Sequence, residues 1–119
     1  EFAPIYEGNR EDYQRNLGLG EKFDKEAKRA DTKGMDERAE QYRQVASLFR
    51  EMAQANRTIG VAIERGDAKA LDPAFGTIIS AEKRIRRVTG KLPKREWFTP
   101  RELTAALQRK RALEKAEED

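Results

Sequence analysis

The chain contains no cysteine and no histidine. The first absence excludes disulfides, thiolate nucleophiles and cysteine metal sites, and the second removes imidazole as base, ligand or pH switch. No apolar run approaches the ~20 residues that span a bilayer, and no signal-peptide core is visible. These absences favour a cytoplasmic protein with no membrane insertion. Serine is scarce as well. Ser47 and Ser80 both fall mid-helix, with no histidine to activate them. Gly18-Leu19-Gly20 lacks the P-loop lysine pattern and follows no strand, so it reads as a helix break. The carboxylates alternate with Lys and Arg, and the acidic run near residue 119 would chelate a metal only loosely. The expectation is therefore a chain that is not an enzyme and has no cofactor and no metal site.

What is present is charge. Charged residues make up 39% of the 119, hydrophobic ones 37%, and mean hydropathy is −0.97. The length suits one domain. Glu1-Phe2 is the dipeptide that a common cloning site encodes, so it reads as a cloning scar and the chain as a piece of a larger protein. No motif identifies a family.

Good helix formers dominate, β-branched residues are few, and no stretch alternates for the length of a strand. The fold class is all-α: a small antiparallel bundle of about four helices. Residues 1–8 read as an extended segment because Pro4 biases Ala3 away from the helical region. Residues 9–119 then form a single helical domain.

A first, polar helix is expected over 9–32, broken or kinked at Gly18 and Gly20 and weakly anchored by Phe23, Ala27 and Ala30. Gly34 closes it. A long central helix follows over residues 35–65, with Asp36 and Glu37 in its first turn, where carboxylates suit the dipole. Ala39, Ala46, Ala53 and Gly60 recur along it every seven residues. Tyr42, Phe49, Asn56 and Ile63 repeat in the same step, which makes an a/d-type stripe with one line of small residues. Val45, Leu48, Met52 and Ile59 widen the apolar face enough for two neighbours. Asn56 is the polar exception: a polar residue there can fix pairing register or oligomeric state, and the favoured reading is that it bonds a loop backbone.

Asp72 as N-cap and Pro73 at the first position open a third helix that ends at Gly90. Its apolar face is read as Phe75, Ile78, Ile79, Ile85 and Val88. Thr99-Pro100-Arg101-Glu102 is a capping box for a fourth helix, with Phe98 and Leu103 spaced as a hydrophobic staple. The core is thin for the length, and the first helix is read as partly detached.

Charge is uneven along the chain. Net charge is −1 over residues 1–34, −1 over 35–67, +5 over 68–98 and 0 over 99–119. The surplus comes from Lys83, Arg84, Arg86, Arg87, Lys91, Lys94 and Arg95, with Trp97 beside them. A positive patch attracts polyanions, and an aromatic next to it can stack on unpaired bases. The first expectation is a nucleic-acid-associated interaction module that contacts backbone phosphates through these seven basic residues, with Trp97 as a candidate stacking residue and an acidic protein as the other anionic partner. The alternative is a protein-protein or oligomerisation module that uses the small-residue stripe: Ala39, Tyr42, Ala46, Phe49, Ala53, Asn56 and Gly60. Covering of that stripe by other helices would remove the support for this alternative.

Overall fold

A computed structural model describes residues 3–93 and, beyond them, the helical residues 105, 108, 109, 112, 113 and 115–117, with side chains described from Glu7 onward. The described residues are all-α, a small bundle with no strand. Helix α1 is Ala3–Thr32, α2 is Asp36–Arg65, a 3-10 turn covers Ala68–Ala70, and α3 is Leu71–Thr89. Helix α2 lies in the middle and packs against both α1 and α3. The capping box at Thr99 and the staple residues Phe98 and Leu103 lie outside the described residues, as do Glu1 and Phe2.

Local chemistry sets the ends of α2. Asp36 and Glu37 fill its first turn. Gly34 before it and Gly66 after it are left-handed, at φ 73° and 66°. At each, two N–H groups fold back on the helix just ended. Gly34 N–H donates to Asp31 O (3.0 Å) and Met35 N–H to Ala30 O (2.8 Å). Gly66 N–H donates to Ile63 O (3.2 Å) and Asp67 N–H to Ala62 O (2.8 Å). This satisfies terminal carbonyls in a conformation that a Cβ would strain.

Four local expectations need correction. Residues 3–8 are helical, not extended. Pro4 sits in the first turn of α1, where its missing N–H has no intrahelical acceptor to lose. Helix α1 also runs unbroken through Gly18 and Gly20. And α3 starts at Leu71, one residue before the expected N-cap, because Asp67 caps the preceding turn by accepting from Lys69 N–H (3.2 Å). Pro73 is again tolerated in a first turn. Ile79 is not part of the buried face of α3, where it is 37% exposed, whereas Leu71 is fully buried.

The core joins Val45, Leu48, Phe49, Met52, Ile59 and Ile63 of α2 to Leu71, Phe75, Ile78 and Ile85 of α3. Each such buried side chain contributes roughly 1.5–3 kcal/mol. On the other side, α1 is docked along α2 and is not detached. Phe23 stacks on Phe49 (centroids 5.7 Å, 14°) and tilts against Tyr42 (5.9 Å). Ala27 and Ala30 are buried. Asp24 pairs with Arg50 (2.6 Å) and Asp31 with Arg43 (2.7 Å). Asp31 first and then Glu40, both hydrogen-bonded to Arg43, raise its pKa above the ordinary guanidinium value. The falling partner numbers along α1 make the pair antiparallel.

Gly18 is exposed, and a Cβ there would meet nothing within 4 Å. Gly18→Ala should therefore raise stability by about 0.8–1 kcal/mol, the helix-interior difference between the two residues. An unchanged or lower midpoint in urea unfolding would show that a helical Gly18 does not describe the protein in solution.

Candidate nucleic-acid interface

Helix α3 buries one face through Leu71, Ala74, Phe75, Ile78, Ala81, Glu82 and Ile85. The opposite face must then carry the residues between, and it carries the cations. Lys83, Arg84, Arg86 and Arg87 are all exposed, as is Lys91 just past the helix end. Gly90 N–H closes that end on Arg86 O (2.8 Å).

The four helical cations do not share one line. Side chains two apart on a helix point away from each other. Arg84 and Arg86 therefore occupy opposite flanks, with Lys83 and Arg87 between them. Lys83, Arg84 and Arg87 line a shallow groove of about 380 Å³ with Gly76, Ile79 and Ser80, and Arg86 lies outside it. Small residues at Gly76 and Ser80 leave the helix surface low there, and the charged side chains rise beside it.

Arginines of α1 and α2 fall into two groups: Arg10, Arg38, Arg57 and Arg65 are exposed with no carboxylate within ion-pair distance among the described residues, and four others are paired. Arg15, Arg29, Arg43 and Arg50 each hold a carboxylate: Asp12, Glu26, Asp31 with Glu40, and Asp24 respectively. Among the described residues, no carboxylate lies within ion-pair distance of Lys83, Arg84, Arg86, Arg87 or Lys91. Arg86 and Arg87 sit in the last turn of α3, where positive charge complements the helix dipole. That role does not extend to Lys83, Arg84 or Lys91. Lys94, Arg95 and Trp97 lie outside the described residues.

The other candidate surface is placed differently. Ala39, Ala46, Phe49, Ala53 and Asn56 of the stripe are buried, Tyr42 is half-buried, and Gly60 lies under Asn9. The cover is α1. A Cβ on Gly20 would lie 3.5 Å from Ala46 O, and one on Gly60 would lie 3.4 Å from Asn9 Nδ2. The small residues thus let the two backbones of one chain approach closely. In this fold they present no free face to a partner.

Asn56 bonds helix α1, not a loop. Asn9 Nδ2 donates to Asn56 O (2.9 Å), Asn16 Nδ2 to Asn56 Oδ1 (2.9 Å), and Asn56 Nδ2 to Asn9 Oδ1 (3.1 Å). A signal for this was present. Asn9, Asn16, Phe23 and Ala30 recur every seven residues, but polar types at two of those positions hide the stripe from a hydropathy reading.

Among the described residues no group of three or more Asp or Glu is placed to hold a metal ion, and no helix is long and apolar enough to cross a membrane. No family model matches the chain, and no curated protein and no solved structure is significantly similar to it.

Proposed function

We propose that this chain is a non-catalytic helical module that binds nucleic acid through the exposed face of α3, with contacts to backbone phosphates. The observation that carries the reading is the set of cations on the solvent side of α3 and just past its end, Lys83, Arg84, Arg86, Arg87 and Lys91, exposed and without described carboxylate partners. Phosphates would replace the water and counterions that such cations otherwise hold, and release of counterions from the polymer drives that exchange. Lysine and arginine on a helix face bring affinity and register but little sequence readout.

The test is a titration with labelled single- and double-stranded DNA and RNA at about 50 and 200 mM salt. Five phosphate contacts give a log–log salt slope of about −4.5, a loss of roughly 500-fold in affinity over that range. Changing Arg84, Arg86 and Arg87 together to Ala should flatten the slope by about 3. These side chains are exposed, so the variant should keep its helical circular dichroism. No binding at the lower salt, or binding indifferent to the triple change, would overturn the reading.

A further inference from the structure

The seam between α1 and α2 has two chemically distinct halves. From Leu19 to Ala30 it is apolar: Phe23 stacks on Phe49, Leu19 packs on the core, and Ala27 and Ala30 are buried. The ion pairs Asp24–Arg50 and Asp31–Arg43 cross the hairpin in this half. From Asn9 to Asn16 the seam is polar. Its buried residues on α1 are Asn9, Asp12 and Asn16; Asp12 pairs with Arg15 of its own helix, and Asn9 and Asn16 face α2 where Ala53, Asn56 and Gly60 supply little apolar surface. The boundary is marked by Gly18 and Gly20, the residue type that, proline apart, holds a helix interior least well. Gly20 also makes a tight backbone approach, against Ala46 and Arg50.

Separating the two halves from α2 has unequal consequences. Exposing Phe23 and Phe49 returns large apolar surface to water, which the hydrophobic effect opposes. Exposing Asn9, Asn16 and Asn56 exchanges amide–amide bonds for amide–water bonds of similar strength. The cluster also borders open space. A notch of about 320 Å³, bordered by Glu7, Arg10 and Tyr13 of α1 and by Arg57 and Gly60 of α2, reaches Asn9 and Asn56.

We propose that residues 3–17 form a releasable arm, held to α2 by the Asn9–Asn16–Asn56 cluster and opening as one unit about Gly18 and Gly20 while the Phe23 half stays docked. Opening uncovers the Ala53–Asn56–Gly60 face of α2 without unfolding the α2–α3 core. The stripe that the closed fold buries thus becomes an intermittently accessible surface. This holds whether or not α3 binds a polyanion.

Native-state hydrogen exchange of the full chain in low urea tests the proposal. Amides of residues 9–17 should exchange at a shared rate at least ~10²-fold faster than those of residues 45–63, with weak urea dependence and a step at Gly18–Gly20. Amides of residues 23–30 should follow α2. A smooth rise in protection from residue 9 to residue 30 would show end-fraying and overturn the unit. Protection of residues 9–17 equal to that of α2 would overturn the opening itself. Asn16→Ala provides a second readout. It should speed exchange over residues 9–17 and leave 23–30 unchanged, and equal acceleration of both segments would refute an independent arm.

Discussion

Replacing Asn56 with Leu should lower stability by about 2–4 kcal/mol. The change removes two hydrogen bonds at one stroke and strands the Asn16 amide N–H and the Asn9 amide oxygen. The third bond, from Asn9 Nδ2 to the Asn56 backbone carbonyl, does not use the replaced side chain. Each amide left buried without a partner costs about 1–3 kcal/mol. The chain can limit that cost by letting the polar half of α1 go, so the fall should come with lost helical signal and fast exchange over residues 9–17. Changing Asn9, Asn16 and Asn56 together to Leu should recover much of the stability, because no polar group is then left unmet. It should also loosen the register of α1 on α2, since buried asparagines select one alignment where leucines accept several. Urea unfolding of the single and triple variants measures both effects. A single variant as stable as the parent would show that the cluster is not formed in solution.

Ala46→Leu should cost about 2–3 kcal/mol by overpacking. Ala46 is 0% exposed and its carbonyl lies under Gly20, 3.5 Å from where a Cβ on that glycine would sit. Three added carbons have nowhere to go unless α1 moves outward, and that would pull Phe23 off Phe49. The same variant decides between the two uses of the stripe. If Ala39, Ala46 and Ala53 faced solvent and waited for another protein, Ala46→Leu would leave the unfolding midpoint unchanged. A drop in midpoint together with weaker near-ultraviolet dichroism from Phe23, Tyr42 and Phe49 is the result expected of a seam within one chain.

Both predictions concern residues whose meaning the linear chain half concealed. The seven-residue repeat of Ala39, Ala46, Ala53 and Gly60 was plain, and it correctly announced a close helix approach. It could not say whose helix approaches. The answer lies in α1, whose contact residues include Asn9, Asp12, Asn16 and Gly20. By hydropathy these read as surface and as a break. Asn9 and Asn16 become interior because Asn56, 40 or more residues away, satisfies them; Asp12 is paired within α1 by Arg15, and Gly20 supplies the space a backbone needs.

The candidate interface shows the same division. The surplus of positive charge between residues 68 and 98 was visible as a count. That Lys83, Arg84 and Arg87 border one groove with Arg86 on the far flank follows from which face of α3 is buried. That they lack described carboxylate partners, while Arg43 and Arg50 hold theirs across the hairpin, depends on which helices adjoin.

The sequence by itself determined the all-α class, the span of α2 and the stops at Gly34, Gly66 and Gly90. Helix propensity, dipole-matched carboxylates and left-handed glycines act within a few residues of the positions they control. Tertiary structure decided that α1 docks, that it passes unbroken through two glycines, and that the small-residue stripe is covered. Those outcomes rest on hydrogen bonds and contacts between residues 12 to 51 positions apart, on two different helices, and no local preference encodes them.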